Sequence, residues 1–346
     1  MTEARELSIL YGLAAAVAFG VALYATPLVR RLATHVGMLD SNDERRMLAD
    51  PKPRIGGLAV YLGFALALFV TLGLGLAAPA LLREAHDPER FFVLRRFLGL
   101  LFGGTLILLV GVWDDVMGMR PRNKLLAQMA VALISMIYGY RIDGIALPNV
   151  GWVDFPLWVE VPITLLWYLG MMNAINFLDG LDGLLAGATA ISGFFLFAIA
   201  VQHGHPLAAL LMAALIGGVA GFLPYNFNPS KIILGDTGSL FIGYVLATIS
   251  ILITAKGAVL VSLAVPIITL ALPVLDTAAA IWRRARAGKR ITEADRGHFH
   301  HLLVFRFGLD VRQAVLLIYA VSFVLGAVAF VLSGGHVGAL GLVKMP

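Results

Sequence analysis

Residues 206–225 read PLAALLMAALIGGVAGFLPY and contain no charged side chain. A helix of about 20 apolar residues covers the roughly 30 Å of hydrocarbon in a bilayer, so this stretch is long enough to cross a membrane. Nine further stretches meet the same criterion, and the sequence therefore predicts an all-α, polytopic integral membrane helical bundle with about ten transmembrane helices. The predicted spans are 8–29, 56–78, 94–113, 124–140, 157–175, 183–202, 206–225, 239–255, 258–282 and 312–333.

The composition supports the same class. Hydrophobic residues make up 60% of the 346 positions and the mean hydropathy is +0.88, whereas charged residues make up only 14%. Soluble domains carry roughly 25% charged residues. The chain has no cysteine, which excludes disulfides and thiolate metal sites. With no linker or low-complexity tract, residues 1–346 are predicted to form one integral membrane domain whose first apolar run is a retained anchor.

The charges indicate an orientation. Most of the 26 Lys and Arg residues lie in or beside the alternate loops that share one side of the membrane, and the positive-inside rule makes that side cytoplasmic. Both termini are then outside, and the protein is predicted to be a multi-pass protein of the cytoplasmic (inner) membrane. The cytoplasmic segments are 30–55, 114–123, 176–182, 226–238 and 283–311.

The first polar motif is Gly111-Val112-Trp113-Asp114-Asp115, where an apolar span ends in two carboxylates. Carboxylates are unfavourable at a helix C-terminus, and two adjacent ones repel each other unless a cation lies close by. Lys124 begins the next span and is such a cation. The pair is interpreted either as a solvated helix end or as a base or metal-side pair near phosphate.

The second motif runs from residue 173 to residue 183 and repeats a polar residue at every third position. That spacing places neighbours on one face of a helix, although Gly180 and Gly183 predict a break before the next span. Such residues are costly between apolar spans unless they are hydrated, coordinated or engaged in helix capping. The polar positions are Asn173, Asn176, Asp179 and Asp182.

The third motif is Gly235-Asp236-Thr237-Gly238-Ser239, immediately before an apolar span. Asp236 is interpreted either as a helix N-cap or as a metal ligand on a tight turn. Mg²⁺ prefers oxygen ligands and often uses one or two protein groups together with substrate phosphates, which suits Asp236 with Asn176.

Two further loops on the predicted cytoplasmic side are basic. Adjacent histidines without cysteine argue against zinc in the later loop, which is interpreted as a contact for anionic lipid or for a diphosphate. The earlier loop is interpreted as a positively charged flank or as part of a binding site. The later loop contains Arg296, His298, His300 and His301, and the earlier one Arg45, Arg46, Lys52 and Arg54.

Between Asp40 and about Leu303, these motifs resemble in order those of the polyprenyl-phosphate N-acetylhexosamine-1-phosphate transferases. The segment from Asp295 to Leu303 is similar to the branch that transfers N-acetylglucosamine (GlcNAc) 1-phosphate. The phospho-MurNAc-pentapeptide translocases and transferases for another UDP-hexosamine remain alternatives within the family. The first loop departs from the family pattern, with Leu48 in place of histidine and Asn42 in place of proline.

The resemblance implies transfer of GlcNAc-1-phosphate, or a close N-acetylhexosamine-1-phosphate, from the UDP-sugar to undecaprenyl phosphate, with release of UMP. This would be the first membrane step of cell-envelope glycan assembly. It implies Mg²⁺, with Mn²⁺ as a substitute, held by Asp236 and Asn176. Asp114 would act on the lipid phosphate, and Asp115 and Asp179 would support the site as further catalytic residues.

The same resemblance implies a set of substrate-binding residues, within which 180–182 would contact uridine. It implies contact with membrane lipid, no nucleic acid, and an assembly that can be a homodimer. The substrate-binding residues are Lys124, Asn173, Gly180, Leu181, Asp182, Arg45, Arg46, Arg54, Arg296, His298, His300 and His301.

Two other classes of protein are weighed against this enzyme. A transporter or lipid flippase places its acids near the bilayer midplane, whereas the acids of this sequence lie at the ends of spans. Only Asp276 comes close to the transporter pattern. A membrane scaffold would leave the ordered polar motifs without a purpose.

Overall fold

The protein is a bundle of α-helices in a computed structural model that describes residues 2–40, 51–73, 87–147, 151–254 and 306–334, together with single positions at 279, 282, 283, 286 and 303. One short β-hairpin is the only sheet within these ranges. The elements are α1 Thr2–His35, α2 Gly57–Gly73, α3 Asp87–Met117, α4 Pro121–Ile137, β1 Gly144–Leu147, β2 Gly151–Asp154, α5 Leu157–Leu178, α6 Leu184–Gln202, α7 Pro206–Asn226, α8 Gly235–Thr254 and α9 Val311–Leu332.

Seven of the described helices are long and apolar enough to cross a membrane, namely α1, α3 and α5 to α9. Helices α2 and α4 have 17 residues each. The predicted all-α polytopic membrane fold is confirmed, and the chain is a multi-pass membrane protein. The predicted span 258–282 lies almost wholly outside the described residues. The number ten and the placement of both termini outside stay predictions.

Two local features differ from the sequence interpretation. Helix α3 continues to Met117 instead of ending at 113, because its terminal acids meet partners from other elements (below) rather than solvent alone. The loop between α4 and α5 contains the hairpin, in which Gly144 pairs with Asp154 and Leu147 with Gly151. The hairpin was not predicted, because its sequence lacks the alternation of polar and apolar residues that is typical of strands.

Helix α8 is the central element of the bundle and packs against α3, α5 and α2. Its described side chains are all buried except that of Asp236 in its first turn. The approach of α2 to α8 requires glycine, since a Cβ on Gly57 would lie 2.1 Å from the backbone of Gly238. The packing therefore brings the exposed end of α8 to the middle of one end of the bundle.

The loop before α2 runs beside the loop before α8 and fixes where α8 starts. Ile233 N donates to Pro53 O at 3.0 Å, Gly56 N donates to Ile233 O at 3.0 Å, and Gly57 N donates to Leu234 O at 3.0 Å. These bonds satisfy backbone groups that would otherwise be buried without partners. The first turn of α8 is thus held by main-chain bonds on one side and by the residues of the site on the other.

Candidate active site

The N-terminus of α8 is capped by a carboxylate from another helix. Asp115, near the end of α3, accepts hydrogen bonds from Asp236 N at 3.0 Å, Thr237 N at 2.9 Å and Thr237 Oγ1 at 2.6 Å. These first amide protons have no partner within the helix, and a negative charge there also interacts favourably with the helix dipole. Asp236 lies inside the first turn, so the interpretation in which it caps its own helix is wrong.

Gly235 makes room for this cap. Its φ of +72° is a backbone conformation that side-chain-bearing residues rarely adopt, and a Cβ there would lie 2.5 Å from Asp115 Oδ2. Glycine before Asp236 is therefore required both by the backbone turn and by the approach of the Asp115 carboxylate.

Lys124, in the first turns of α4, is the cation at the centre of the site. Its Nζ lies 2.8 Å from Asp114 Oδ2, 3.0 Å from Asp236 Oδ2 and 3.3 Å from Asn176 Oδ1. These three oxygens come from α3, α8 and α5, so one ammonium group joins four helices. The lysine side chain is only 16% exposed, which strengthens each electrostatic contact relative to a surface ion pair.

The side chain of Asn176, in the last turn of α5, is oriented by α8. Its Nδ2 donates to Asp236 Oδ1 and, at 2.7 Å, to Ser239 Oγ. With the amide nitrogen directed at α8, Oδ1 faces Lys124. The amide thus presents an oxygen to the same point as the two carboxylates of Asp114 and Asp236.

Negative charge exceeds positive charge in this cluster. Asp114, Asp115 and Asp236 contribute three carboxylates, and in the described part of the chain Lys124 is their only ion-pair partner. The α8 N-terminus partly compensates Asp115. A backbone amide, Met119 N, also donates to Asp114 Oδ1 at 2.7 Å. Within the described residues an excess of negative charge remains, which a further cation would balance.

The donor set fits a hard divalent cation. Asp114 and Asp236 supply carboxylate oxygens, Asn176 supplies an amide oxygen, and Mg²⁺ accepts such ligands while keeping other positions for water or phosphate. Within the described ranges, no group of three or more His, Cys, Asp or Glu side chains could hold a metal by itself. A cation bound here would therefore need ligands beyond these side chains, as a phosphate-bearing substrate supplies.

Asp182, in the turn between α5 and α6, forms a second polar cluster. Its Oδ2 accepts from Lys52 Nζ at 2.8 Å, Ser230 N at 3.0 Å and Asn228 Nδ2 at 3.2 Å, and its Oδ1 accepts from Ser230 Oγ at 2.7 Å. Burial by itself would raise the pKa of Asp182, but the Lys52 ammonium and the hydrogen bonds from Ser230 outweigh it and lower that pKa below its ordinary value. The cluster ties three loops together at one end of the bundle.

The other predicted site residues are distributed as follows. Asn173 lies one turn before Asn176 on α5 and donates to Gln128 Oε1 at 2.8 Å, so its amide joins α5 to α4. Arg54 pairs with Asp40. Asp179, Gly180 and Leu181 lie in the turn after α5. Six predicted positions lie outside the described residues: Arg45, Arg46, Arg296, His298, His300 and His301.

In the sequence, Lys52 is one residue of the earlier basic loop and has no predicted role of its own, and Ser230 and Gln128 have no predicted site role. A lysine in a basic loop, a serine after proline and a glutamine within an apolar span each have common structural explanations. Lys52 and Gln128 are recognised as neighbours of the site only because the structure pairs Lys52 with Asp182 and Gln128 with Asn173. Neither pairing has a signal in the spacing of one sequence.

One end of a membrane-spanning bundle thus holds a mostly buried lysine, three carboxylates and an oriented amide, so the fold and the cluster define a multi-pass membrane protein with a candidate site for charged groups. Comparison with known proteins gives the family. Residues 97–254 match the model of glycosyl transferase family 4, and these residues include Asp114, Lys124, Asn176 and Asp236. The chain belongs to glycosyl transferase family 4, and it is a transferase.

Three relatives illustrate the similarity. A Bacillus subtilis (strain 168) protein named probable undecaprenyl-phosphate N-acetylglucosaminyl 1-phosphate transferase is 34% identical over 91% of this chain and 83% of its own length. The decaprenyl-phosphate N-acetylglucosaminephosphotransferase of Mycolicibacterium smegmatis is 34% identical over 91% of this chain and 79% of its own length. A phospho-N-acetylmuramoyl-pentapeptide-transferase of Limosilactobacillus reuteri (strain DSM 20016) is 35% identical over 58% of this chain and 64% of its own length.

Proposed function

We propose that this protein transfers GlcNAc-1-phosphate from UDP-GlcNAc to undecaprenyl phosphate and releases UMP, at the cytoplasmic face of the cytoplasmic membrane. The observation that carries the proposal is the convergence of Asp114, Asp236 and Asn176 on Lys124 at one end of the bundle. Two relatives that match 91% of this chain are named for transfer of this sugar phosphate to a polyprenyl phosphate. The bacterial relatives support a location in the cytoplasmic membrane, and the basic loops support a site on the cytoplasmic face of that membrane.

The position of the site suits two substrates of opposite character. A nucleotide sugar is a water-soluble anion, whereas a polyprenyl phosphate keeps its chain in the bilayer and its phosphate at the surface. Asp236 is 28% exposed and Asp114 10%, so this end of the bundle is polar but partly shielded from water. Charged groups act more strongly in such surroundings than in bulk water.

The reaction is a phosphoryl transfer. An oxygen of undecaprenyl phosphate forms a bond to the β-phosphorus of UDP-GlcNAc, and the bond from that phosphorus to the oxygen bridging it to UMP breaks. Such reactions depend on positioning and on stabilisation of charge more than on covalent chemistry by the protein. The lipid phosphate is itself a competent nucleophile, so a single displacement needs no protein nucleophile.

The described residues have distinct roles in this step. Asp114 orients the lipid phosphate for in-line attack and keeps its attacking oxygen free of a proton. Lys124 donates to phosphate oxygens and compensates the charge on the UMP leaving group. Asp115 positions Asp236 through the cap on α8, and Gly180 to Asp182 contact the uridine.

Mg²⁺ is the proposed cofactor, with Mn²⁺ as a substitute, because the oxygens of Asp236, Asn176 and Asp114 suit a hard cation. When bound, such an ion would neutralise charge on the diphosphate. Arg45, Arg46, Arg296 and the histidines at 298, 300 and 301 are proposed as additional phosphate contacts from the loops outside the described residues.

The test is turnover by the purified full-length chain in detergent. It would be supplied with undecaprenyl phosphate, Mg²⁺ and a panel of UDP-sugars, and released UMP and lipid-linked sugar would be measured. We expect UDP-GlcNAc to be the preferred donor. The panel includes UDP-MurNAc-pentapeptide because of the Limosilactobacillus relative, and preference for that donor would move the function to the other branch. Substrate flux without UMP release would instead identify a transporter.

A further inference from the structure

Three oxygens from three helices converge on one nitrogen, and that nitrogen belongs to the protein itself. Asp114 Oδ2, Asp236 Oδ2 and Asn176 Oδ1 lie 2.8, 3.0 and 3.3 Å from Lys124 Nζ. Hard oxygens grouped around a single point form the kind of site that divalent cations occupy. In this structure the Lys124 ammonium is the cation at that point.

The other oxygens of the cluster are already engaged. Both oxygens of Asp115 accept hydrogen bonds from the first turn of α8. Asp236 Oδ1 accepts from Asn176, and Asp114 Oδ1 accepts from Met119 N at 2.7 Å. The oxygens from three helices that converge on a single point are those that now contact Lys124, so a divalent cation bound at that point uses the same oxygens.

Two cations cannot share these oxygens at contact distance. Like charges a few ångströms apart repel strongly where the effective dielectric constant is well below that of water, and Lys124 is only 16% exposed. Lys124 can leave, because it lies near the start of α4 and its flexible four-carbon stem can place the ammonium elsewhere.

We infer that the Lys124 ammonium is a built-in competitor for the divalent cation: it neutralises Asp114 and Asp236 while the site is empty of metal, and it leaves them when a metal binds. The inference rests on the proposed function for the kind of ion. A divalent ion without nucleotide should therefore bind weakly, because its binding must first displace the Lys124 ammonium. A diphosphate that arrives with the metal gives the released ammonium a new anionic partner.

The competition can be measured without turnover. Mn²⁺ would be titrated into the detergent-purified full-length chain without nucleotide, and free Mn²⁺ would be followed by electron paramagnetic resonance. We expect Lys124→Met to tighten Mn²⁺ binding by about tenfold or more, because the competing charge is gone. Lys124→Arg keeps a cation and should bind like the natural chain.

Two control variants locate the effect. Lys231→Met removes an exposed cation from the neighbouring loop and should leave the affinity unchanged. Adding Asp236→Ala to Lys124→Met should abolish the tightened binding. Equal or weaker Mn²⁺ affinity in Lys124→Met would overturn the inference, as would tightening that survives the loss of Asp236.

Thermal unfolding supplies a second readout in case Lys124→Met is unstable. Without divalent ions this variant should unfold at a lower temperature, because two partly buried carboxylates lose their counter-ion. Mn²⁺ should then raise its unfolding temperature more than it raises that of the natural chain; an equal rise would contradict the inference. If no UDP-sugar gives UMP but these two results hold, the proposed function fails and the competition stands.

Discussion

Asp115 caps the helix that carries Asp236, although the two residues belong to different helices of the bundle. Its Oδ1 accepts Asp236 N at 3.0 Å, and its Oδ2 accepts the amide of the next residue at 2.9 Å. The adjacent acid, Asp114, contacts Lys124 instead. Two neighbouring carboxylates on α3 therefore do different work, one fixing the position of α8 and the other facing the site.

Removal of the cap should affect both stability and activity. We expect Asp115→Ala to lower the free energy of unfolding by about 1–2 kcal/mol, as for other helix N-caps and charges at helix N-termini. Turnover should fall as well, by at least about tenfold, because Asp236 loses its position and small displacements at a reacting centre are costly. Thermal unfolding and UMP release, measured on the same preparations, check the two effects.

Asp310 provides a matched control for the cap. It caps α9, where its Oδ1 accepts Gln313 N at 2.7 Å within a capping box. Asp310→Ala should lower stability by a similar amount while turnover at a temperature below both unfolding transitions stays near normal. If both variants lose activity equally, Asp115 acts only through general stability.

The residues that contact Lys124 should be needed for turnover. We expect Asp114→Asn and Asp236→Ala each to lose about a hundredfold or more in UMP release at saturating substrate, a typical loss when one electrostatic contribution to the transition state is removed. Asp154→Asn, in the hairpin before α5 and thus at the opposite end of that helix from Asn176, should retain normal rates. Near-normal turnover in either of the first two variants would refute the assigned roles.

The positions of the helices followed from the sequence because apolar length is a local property. The predicted spans between 94 and 255 all correspond to described helices. Their ends were less predictable. Whether α3 stops at 113 or at Met117 depends on partners for Asp114 and Asp115 that come from α4 and α8, and no local pattern contains that information.

The site was predictable to the extent that its residues interrupt apolar stretches. Asp114, Asn176 and Asp236 adjoin spans in which a polar residue is costly, so each could be identified as a site candidate from its own position. Lys52 could not be identified in this way, because a lysine in a basic loop is already explained by the positive-inside rule. The common geometry was beyond a single sequence, since the oxygens that meet Lys124 come from separate helices.

The cluster around Asp182 should make stability depend on pH. The folded-state pKa of this carboxyl is lower than its ordinary value of 3.8, so its contribution is present above that value and is lost as the pH falls through the lower folded pKa. We expect the unfolding temperature to fall as the pH is lowered through 3.8 and below, and to fall less steeply in Asp182→Asn. The exposed Asp154→Asn variant is the control and should keep the slope of the natural chain.

A double-mutant cycle separates the ion pair from the rest of that cluster. Lys52 and Asp182 are 15% and 9% exposed, so their interaction is only partly screened by water. Lys52→Met and Asp182→Asn should each destabilise the protein, and the double variant should be less destabilised than the sum, by about 0.5–3 kcal/mol. Strict additivity would mean that the pair contributes nothing, despite the 2.8 Å between Lys52 Nζ and Asp182 Oδ2.

Asn173 and Gln128 form a polar pair between α4 and α5, one turn further into the bundle than Asn176. Asn173 Nδ2 donates to Gln128 Oε1 at 2.8 Å and to Leu169 O at 2.8 Å, and Gln128 is fully buried. Asn173→Leu leaves the buried Gln128 amide without its partner, at a cost of about 1–3 kcal/mol, whereas Gln128→Leu should cost less because Asn173 is only half-buried and still donates to Leu169 O. We expect the double variant, with both amides replaced by apolar side chains, to recover most of that loss, as measured by thermal unfolding in detergent.

The Michaelis constant for the UDP-sugar decides whether Asn173 also contacts substrate. If the pair only joins helices, the Michaelis constant should stay within about twofold of its natural value in a recovered double variant. A persistent rise of about tenfold, equivalent to 1.4 kcal/mol of lost binding, would mean that Asn173 also contacts substrate.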